Sequence, residues 1–376
     1  MIDTYQFGAE CKKLGFHFFT GVPCSFLNPL INFAINECEY ITAVNEGEAV
    51  SIAAGAAIGG KKTVVLMQNS GLTNASSPLT SLVFPFRIPL LGFVSLRGAA
   101  GLIDEPQHEL MGKITAEWLS SMRIHWEYLS DVLQEAIQQL QKANSIIEKN
   151  EPFFFIVKKG TLAKIELQKQ EAKTTRNVIN RRKCQADELP ARTEALQLIQ
   201  FHADQDTVLL ATTGKTGREL YQLKDQANQL YMVGSMGCVT SLALGLSLAR
   251  KEKDVIAIDG DGAILMRLGC LATNGYISPP NMLHILLDNQ THDSTGGQLT
   301  VSHNVQFVDI AAACGYYRAV YVHSLAELDR CIQEWKREKQ LTFLQLKIAK
   351  GSIKELGRPS IQPFAVKERL QVFLDD

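Results

Sequence analysis

The chain runs to 376 residues, enough for two domains with sizeable cores, and its 46% hydrophobic and 20% charged content describes a globular protein rather than a disordered one. A formal net charge of −1 gives no reason to expect nucleic acid or a membrane surface as partner, and no apolar run reaches transmembrane length. Asp3 and Glu10 precede any apolar stretch, so no signal peptide is expected. The eight cysteines (Cys11, Cys24, Cys38, Cys184, Cys238, Cys270, Cys314 and Cys331) lack zinc-type spacing and read as reduced core thiols of a cytoplasmic protein.

In chain order, strand-like runs at 16–20, 41–44, 63–67, 90–94 and 153–157 alternate with helical patterns, the clearest at 129–147. The second half does the same, with runs at 207–211, 229–233, 255–258, 283–287, 317–322 and 343–346. Such alternation predicts an α/β fold of mostly parallel sheets flanked by helices, in domains at 1–165 and 191–376 joined by a linker at 166–190. Residues 160–190 are polar, with Lys169, Lys173, Arg176, Arg181, Arg182 and Lys183. A solvated connector accounts for that composition, and a basic anion site is the alternative.

The chemistry concentrates at two predicted strand ends. The run Asp254-Val-Ile-Ala-Ile258 leads into Asp259-Gly260-Asp261-Gly262, and Met282-Leu-His-Ile-Leu-Leu287 leads into Asp288-Asn289. Ile264, Leu265, Leu268 and Leu271, followed by Gly275 and Pro279-Pro280, have the period and stop signals of a crossover helix between them. Neighbouring parallel strands would bring a carboxylate and a carboxamide to one crevice, a donor set suited to Mg²⁺ completed by phosphate oxygens. A strand-turn-helix Gly-Asp-Gly without ligand is the competing reading. Upstream, Thr212-Thr213-Gly214-Lys215-Thr216 also follows a strand and opens a helix, so its amides and hydroxyls can hold a diphosphate, although it lacks Walker spacing.

This pattern resembles the cofactor signature of thiamine-diphosphate enzymes, a Gly-Asp-Gly followed at a set distance by Asn. The resemblance makes Asp261, Asn289 and the main-chain carbonyl of Thr291 the Mg²⁺ ligands, with Gly260, Gly262 and Ala263 against the diphosphate. It makes Glu46, nine residues before Gly55, the acid that relays a proton to the aminopyrimidine. A helix N-terminal Glu serving only the macrodipole, or Glu48 as the functional acid, competes with that role; Glu48 is otherwise a supporting or surface group. In Tyr231-Met-Val-Gly234-Ser235-Met236-Gly237 the resemblance makes Met236 the wedge that folds the cofactor and the Gly234 carbonyl an acceptor, with Ser235 between them. Plain core filling is the other reading of Met236.

The likeness extends to Gly21-Val22-Pro23-Cys24-Ser25, Gln68-Asn69-Ser70-Gly71, Asp104-Glu105-Pro106-Gln107-His108 and Asn289 through Gln298, which together resemble the phosphonopyruvate decarboxylases over about residues 5–350. Sulfopyruvate decarboxylases are the nearest relatives, and His292-Asp293-Ser294-Thr295-Gly296-Gly297 favours the phosphonate family. The resemblance implies two thiamine-diphosphate-binding-type domains without a central third one. It implies decarboxylation of a phosphonate-bearing 2-keto acid through an ylide and an enamine on the cofactor, in a homodimer or larger homo-oligomer with active sites between subunits. Ser25, Asn69, Ser70 and Gly71 are substrate candidates, with Arg87, Arg97, Lys113 and Arg267 as possible cationic partners. His108 and His292 are candidate proton donors, with Asp293 orienting an imidazole. His17, His125, His202, His284, His303 and His323 read as structural or surface residues. A nicotinamide oxidoreductase would need a third glycine after Gly260-Asp261-Gly262, where Ala263-Ile264-Leu265 stands instead. A non-catalytic scaffold would not keep Glu46, Asp261 and Asn289 together.

Overall fold

A computed structural model of the chain describes residues 1–101, 104–182 and 188–376. Lys183 and Cys184, read above as linker and core thiol, lie outside the described residues. The chain forms two units, Met1–Glu171 and Ala172–Asp376.

The first unit carries β1 (Phe16–Gly21), β2 (Glu39–Thr42), β3 (Lys62–Gln68), β4 (Leu91–Ser95), β5 (His125–Tyr128) and β6 (Phe153–Val157). They form one parallel sheet in the order β2-β1-β3-β4-β6-β5. Its central strands are buried on both faces, as a helix-covered parallel sheet requires, so they read as unbroken apolar runs rather than alternations. Phe93 stacks on Phe155 at 5.3 Å and meets Phe7 edge-on at 6.0 Å. The helix Glu46–Ile58 is buried at every position, which its run of Ala and Gly permits by letting it lie close on the sheet.

The second unit carries β7 (Ile179–Arg181), β8 (Thr207–Ala211), β9 (Gln229–Tyr231), β10 (Asp254–Gly260), β11 (Met282–Asp288), the short antiparallel pair β12 (Thr291–His292) and β13 (Gln298–Leu299), then β14 (Arg318–Val322) and β15 (Thr342–Lys347). The main sheet is parallel, in the order β7-β14-β15-β11-β10-β8-β9. Read from the other edge, β9-β8-β10-β11-β15-β14 repeats the first unit's β2-β1-β3-β4-β6-β5 strand for strand. In both, the chain leaves one strand outward and returns to its other side. The switch points therefore fall between β1 and β3 and between β8 and β10, where the crevice of an open α/β sheet admits ligands.

Three elements differ from the sequence expectation. The edge strand β5 was not anticipated because it is half exposed, with neither an apolar run nor clean alternation. The polar stretch read as a connector is docked at both ends. Ile2 bridges Leu162 and Asn32 donates to the Ile165 carbonyl, while Ile179–Arg181 adds an edge strand beside β14. The crossover from β10 to β11 is two short helices, Asp261–Met266 and Cys270–Ile277, broken after Met266. Among the described residues no helix is long and apolar enough to cross a membrane.

At the turn into β8, Asp204 accepts from Lys336 (2.6 Å), Thr207 (2.7 Å) and the Asp206 amide (3.1 Å), tying that turn to the helix Leu325–Glu338. Burial pushes its carboxyl up, but Lys336 and Thr207 outweigh that and hold it at about 2, below the usual 3.8. A carboxyl lowered on folding stabilises fully above its unfolded value and loses that contribution as pH falls through its folded value. Asp204→Asn is therefore expected to lower Tm at pH 7 and to flatten the fall of Tm between about pH 4 and pH 2. An unchanged acid slope in thermal melts would contradict it.

Candidate active site

The switch point of the second unit opens a cleft lined by the β8 tip (Thr212 to Thr216), Met236, Gly260 to Ala263, and Asn289 to Ser294, with Arg192 behind them. The register Gly260↔Leu287 sets the tips of β10 and β11 side by side, so Asp261 and Asn289 reach the same cleft. Gly214 has φ +93° and ψ −142°, a conformation open only to glycine, where the chain turns into the helix Lys215–Leu223. Its bare Cα leaves room beside Ser294. At Gly262 an added Cβ would stand 2.5 Å from the His292 ring and 3.3 Å from the Met236 methyl, so both side chains close over that glycine. Gly234 and Ser235 form the turn before Met236, with Ser235 buried at φ +50°.

Asp261 is 2% exposed and accepts from Thr300 Oγ1, whose hydroxyl also meets Ser302 Oγ at 2.9 Å; Ser302 donates to Asp288 Oδ1 at 3.0 Å. Burial pushes the Asp261 carboxyl up, and Asp288 adds to it, while the Thr300 and Ser302 hydroxyls pull the other way. Two buried acids thus share one hydroxyl chain, an arrangement that a bound cation would relieve. Asn289 donates through Nδ2 to Asp293 Oδ2 at 2.6 Å; because a carboxylate only accepts, this fixes the amide's orientation, with Oδ1 on the other side. One carboxylate, one amide oxygen and the Thr291 carbonyl are hard oxygen donors of the kind Mg²⁺ takes. The residues fit a magnesium diphosphate.

Asp293 departs from its expected role. Rather than orienting an imidazole, its carboxylate accepts from Arg192 Nη2 (2.7 Å), Asn289 Nδ2, Thr291 Oγ1 (2.9 Å) and the Gly351 amide (3.2 Å). Burial raises this carboxyl, but Arg192 and Thr291 outweigh it and the net shift is downward. His284, beneath the cleft, lies 3.6 Å from Asp259 and near Thr240 and Tyr316, in the structural place expected of it.

In the first unit the corresponding tips gather the other candidates. Glu46 opens its helix after β2, is 9% exposed, and its Oε2 accepts from Asn74 Nδ2 at 2.9 Å. A Cβ added at Gly71 would lie 2.0 Å from Glu46 Oε1, so Gly71 is the floor on which that carboxyl rests. Glu48 is not a surface group: it is fully buried and accepts from the Val44 amide (2.6 Å), while Asn45 caps the Glu48 amide (3.0 Å). Asn69 is also fully buried, and its amide is spent on the Arg97 backbone (2.9 Å) and Thr115 (3.1 Å), which makes it a pin between the segment after β4 and the helix Glu109–Ser121.

Ser70 Oγ accepts from Gln68 at 2.5 Å, and Cys24 Sγ lies 3.0 Å from Ser95 Oγ. Arg97 turns Nε and Nη2 to Asp104, holding that carboxyl well below the usual carboxylate range, and reaches Ser25 Oγ through Nη1 at 3.3 Å. Lys113 pairs with Glu109 on an exposed helix face, Arg87 sits at φ +49° closing a short helix, and Arg267 ends the helix Asp261–Met266. His108 is 6% exposed, and its Nδ1 has no hydrogen-bond partner among the described residues.

Arg192, Asn74, Thr300 and Ser302 were missed because no local motif announces them. Arg192 and Asp293 are 101 residues apart, and Thr300 and Asp261 are 39.

A pair of parallel-sheet units of matching topology, with an oxygen-donor cleft at a switch point, is the architecture of thiamine-diphosphate enzymes. Residues 212–346 match the family described as Thiamine pyrophosphate enzyme, C-terminal TPP binding domain. The fold is that of benzoylformate decarboxylase from Polynucleobacter necessarius, with a TM-score of 0.73 at 13% identity over 94% of this chain and 100% of that one. Phosphonopyruvate decarboxylase of Streptomyces viridochromogenes is 39% identical over 100% of this chain and 95% of its own. Sulfopyruvate decarboxylase of Methanosarcina acetivorans is 27% identical over 97% and 95%. The chain belongs to the phosphonopyruvate decarboxylase family.

Gly71→Ala tests the placement of Glu46. Gly71 has φ −74°, which alanine adopts freely, so the methyl would act only by displacing the carboxyl. Turnover is expected to fall about 100-fold or more, the range of a lost proton-transfer group, with the circular dichroism spectrum kept. Wild-type turnover would show that Glu46 needs no such floor.

Proposed function

We propose that the protein decarboxylates 3-phosphonopyruvate to phosphonoacetaldehyde and CO2 using thiamine diphosphate and Mg²⁺. The observation that carries this is the 39% identity to a phosphonopyruvate decarboxylase running through both units, with Glu46, Asp261 and Asn289 in place. When bound, the cofactor supplies the electron sink for the pair left behind as CO2 departs.

The chain's own residues would supply position and protons. Asp261, Asn289 Oδ1 and the Thr291 carbonyl would hold Mg²⁺; Gly214, Lys215, Thr216, Gly260, Gly262 and Ala263 would hold the diphosphate. Gly234, Ser235 and Met236 would seat the rings. Glu46, kept from water by Gly71 and hydrogen-bonded to Asn74, would hold and pass the activating proton. Ser25 and Ser70, with the Arg97 Nη1 edge that Asp104 leaves open, would meet the substrate's phosphonate; Asn69 and Gly71 would shape that place rather than touch it. His108, whose buried Nδ1 has no hydrogen-bond partner among the described residues, and His292, lying over Gly262, would carry the product-forming proton. The working form would be a cytoplasmic homodimer or larger homo-oligomer with active sites between subunits.

With Mg²⁺ and thiamine diphosphate supplied, kcat/KM for phosphonopyruvate is expected to exceed that for sulfopyruvate. The reverse order would reassign the chain to the sulfonate substrate. Asp261→Ala should abolish cofactor retention, whereas Glu46→Gln should keep retention and lose turnover by about 100-fold or more; equal turnover of Glu46→Gln and wild type would remove the relay.

A further inference from the structure

We propose that Arg192 is a positioning residue of the metal site, acting through Asp293 to set the orientation of the Asn289 amide and the Thr291 backbone. The proposal rests on the Mg²⁺–thiamine diphosphate reading above and adds a function for a residue outside every motif. The Arg192 side chain is 5% exposed and spans two acids: Nη1 donates to Glu219 Oε1 at 3.0 Å and Nη2 to Asp293 Oδ2 at 2.7 Å. Nη1 also donates to the Gly351 carbonyl at 3.1 Å, and Gly351 returns its amide to Asp293 at 3.2 Å. Glu219 is fully buried and also accepts from Thr193 at 3.1 Å.

Asp293 then holds two of the three ligand residues. Oδ2 takes the Asn289 Nδ2 proton at 2.6 Å and Oδ1 takes the Thr291 hydroxyl at 2.9 Å. A carboxamide can rotate its O and N ends with little change of shape, and a cation binds only the oxygen end. Next to a carboxylate the nitrogen end must face Asp293, and the Thr291 amide donates to Oδ1 at 3.2 Å, so both contacts select the same orientation of the amide. That carboxylate is held in place by Arg192, and Arg192 is in turn fixed by Glu219 and by the strand-following segment at Gly351. This is the outer support that commonly decides metal affinity, at 10–100-fold per partner removed.

Asp293→Asn keeps the shape but replaces the acceptor-only carboxylate that selects the Nδ2 end of Asn289, leaving only the Thr291 amide to hold its oxygen end. Arg192→Gln removes the guanidinium, and Arg192→Lys restores one of its two ion pairs. Each protein, stripped of metal and cofactor, is titrated with thiamine diphosphate by calorimetry at stepped Mg²⁺ concentrations. The half-saturating Mg²⁺ is expected to rise about tenfold or more in Asp293→Asn and Arg192→Gln, with Arg192→Lys between them and wild type. A purely structural Arg192 would lower Tm without moving that midpoint. Should Arg192→Gln fail to fold, Asp293→Asn decides: a midpoint within about twofold of wild type, in a protein of unchanged circular dichroism, overturns the proposal. Binding that ignores Mg²⁺ already in the wild type overturns the metal reading beneath it, and is told apart by needing no substitution.

Discussion

The structure depends on the burial of acidic groups at the C-terminal ends of two adjacent parallel strands. Asp259, Asp261 and Asp288 are each at most 2% exposed, and Asp293 and Glu219 stand beside them with Arg192 between. Burying carboxylates is costly unless each gains hydrogen bonds or a counter-charge. Asp259 and Asp288 gain amides and hydroxyls, and Asp293 and Glu219 gain a guanidinium. Asp261 gains hydroxyls and meets the field of Asp288, which together leave its carboxyl raised. A divalent cation at that point would supply the counter-charge that the neighbouring residues do not.

Topology explains why this happens here. The strand order places a switch point between β8 and β10, and the same order places one between β1 and β3 in the first unit. One crevice carries hard oxygen donors, with Asp261 and Asn289 in its lining. The other is built from neutral or paired groups around Glu46, with Gly71 and Asn74 fixing the acid and Arg97 already committed to Asp104. The same scaffold thus carries two different sets of polar residues at its strand ends.

Much of this was legible in the sequence because the informative residues are local. Gly260-Asp261-Gly262 and Asn289 each sit at the end of an apolar run, so strand, turn and donor are read from one short window. The two-sheet architecture follows from alternation alone. What could not be read is what long-range packing decides. Arg192 looks like one more charge after a polar stretch until the fold sets it against a residue 101 positions away. Asp293 and Asn69 have polar side chains in suggestive motifs, and only the structure shows those side chains already spent on neighbours. The edge strands β5 and β7 escaped for the opposite reason: an edge is half solvated, and its pattern is diluted.

The central claim is tested most directly by calorimetric titration of thiamine diphosphate into the stripped wild-type protein, with Mg²⁺ and without it. The account predicts saturable binding that requires the metal. Absence of binding in both arms, or equal affinity in both, would contradict it.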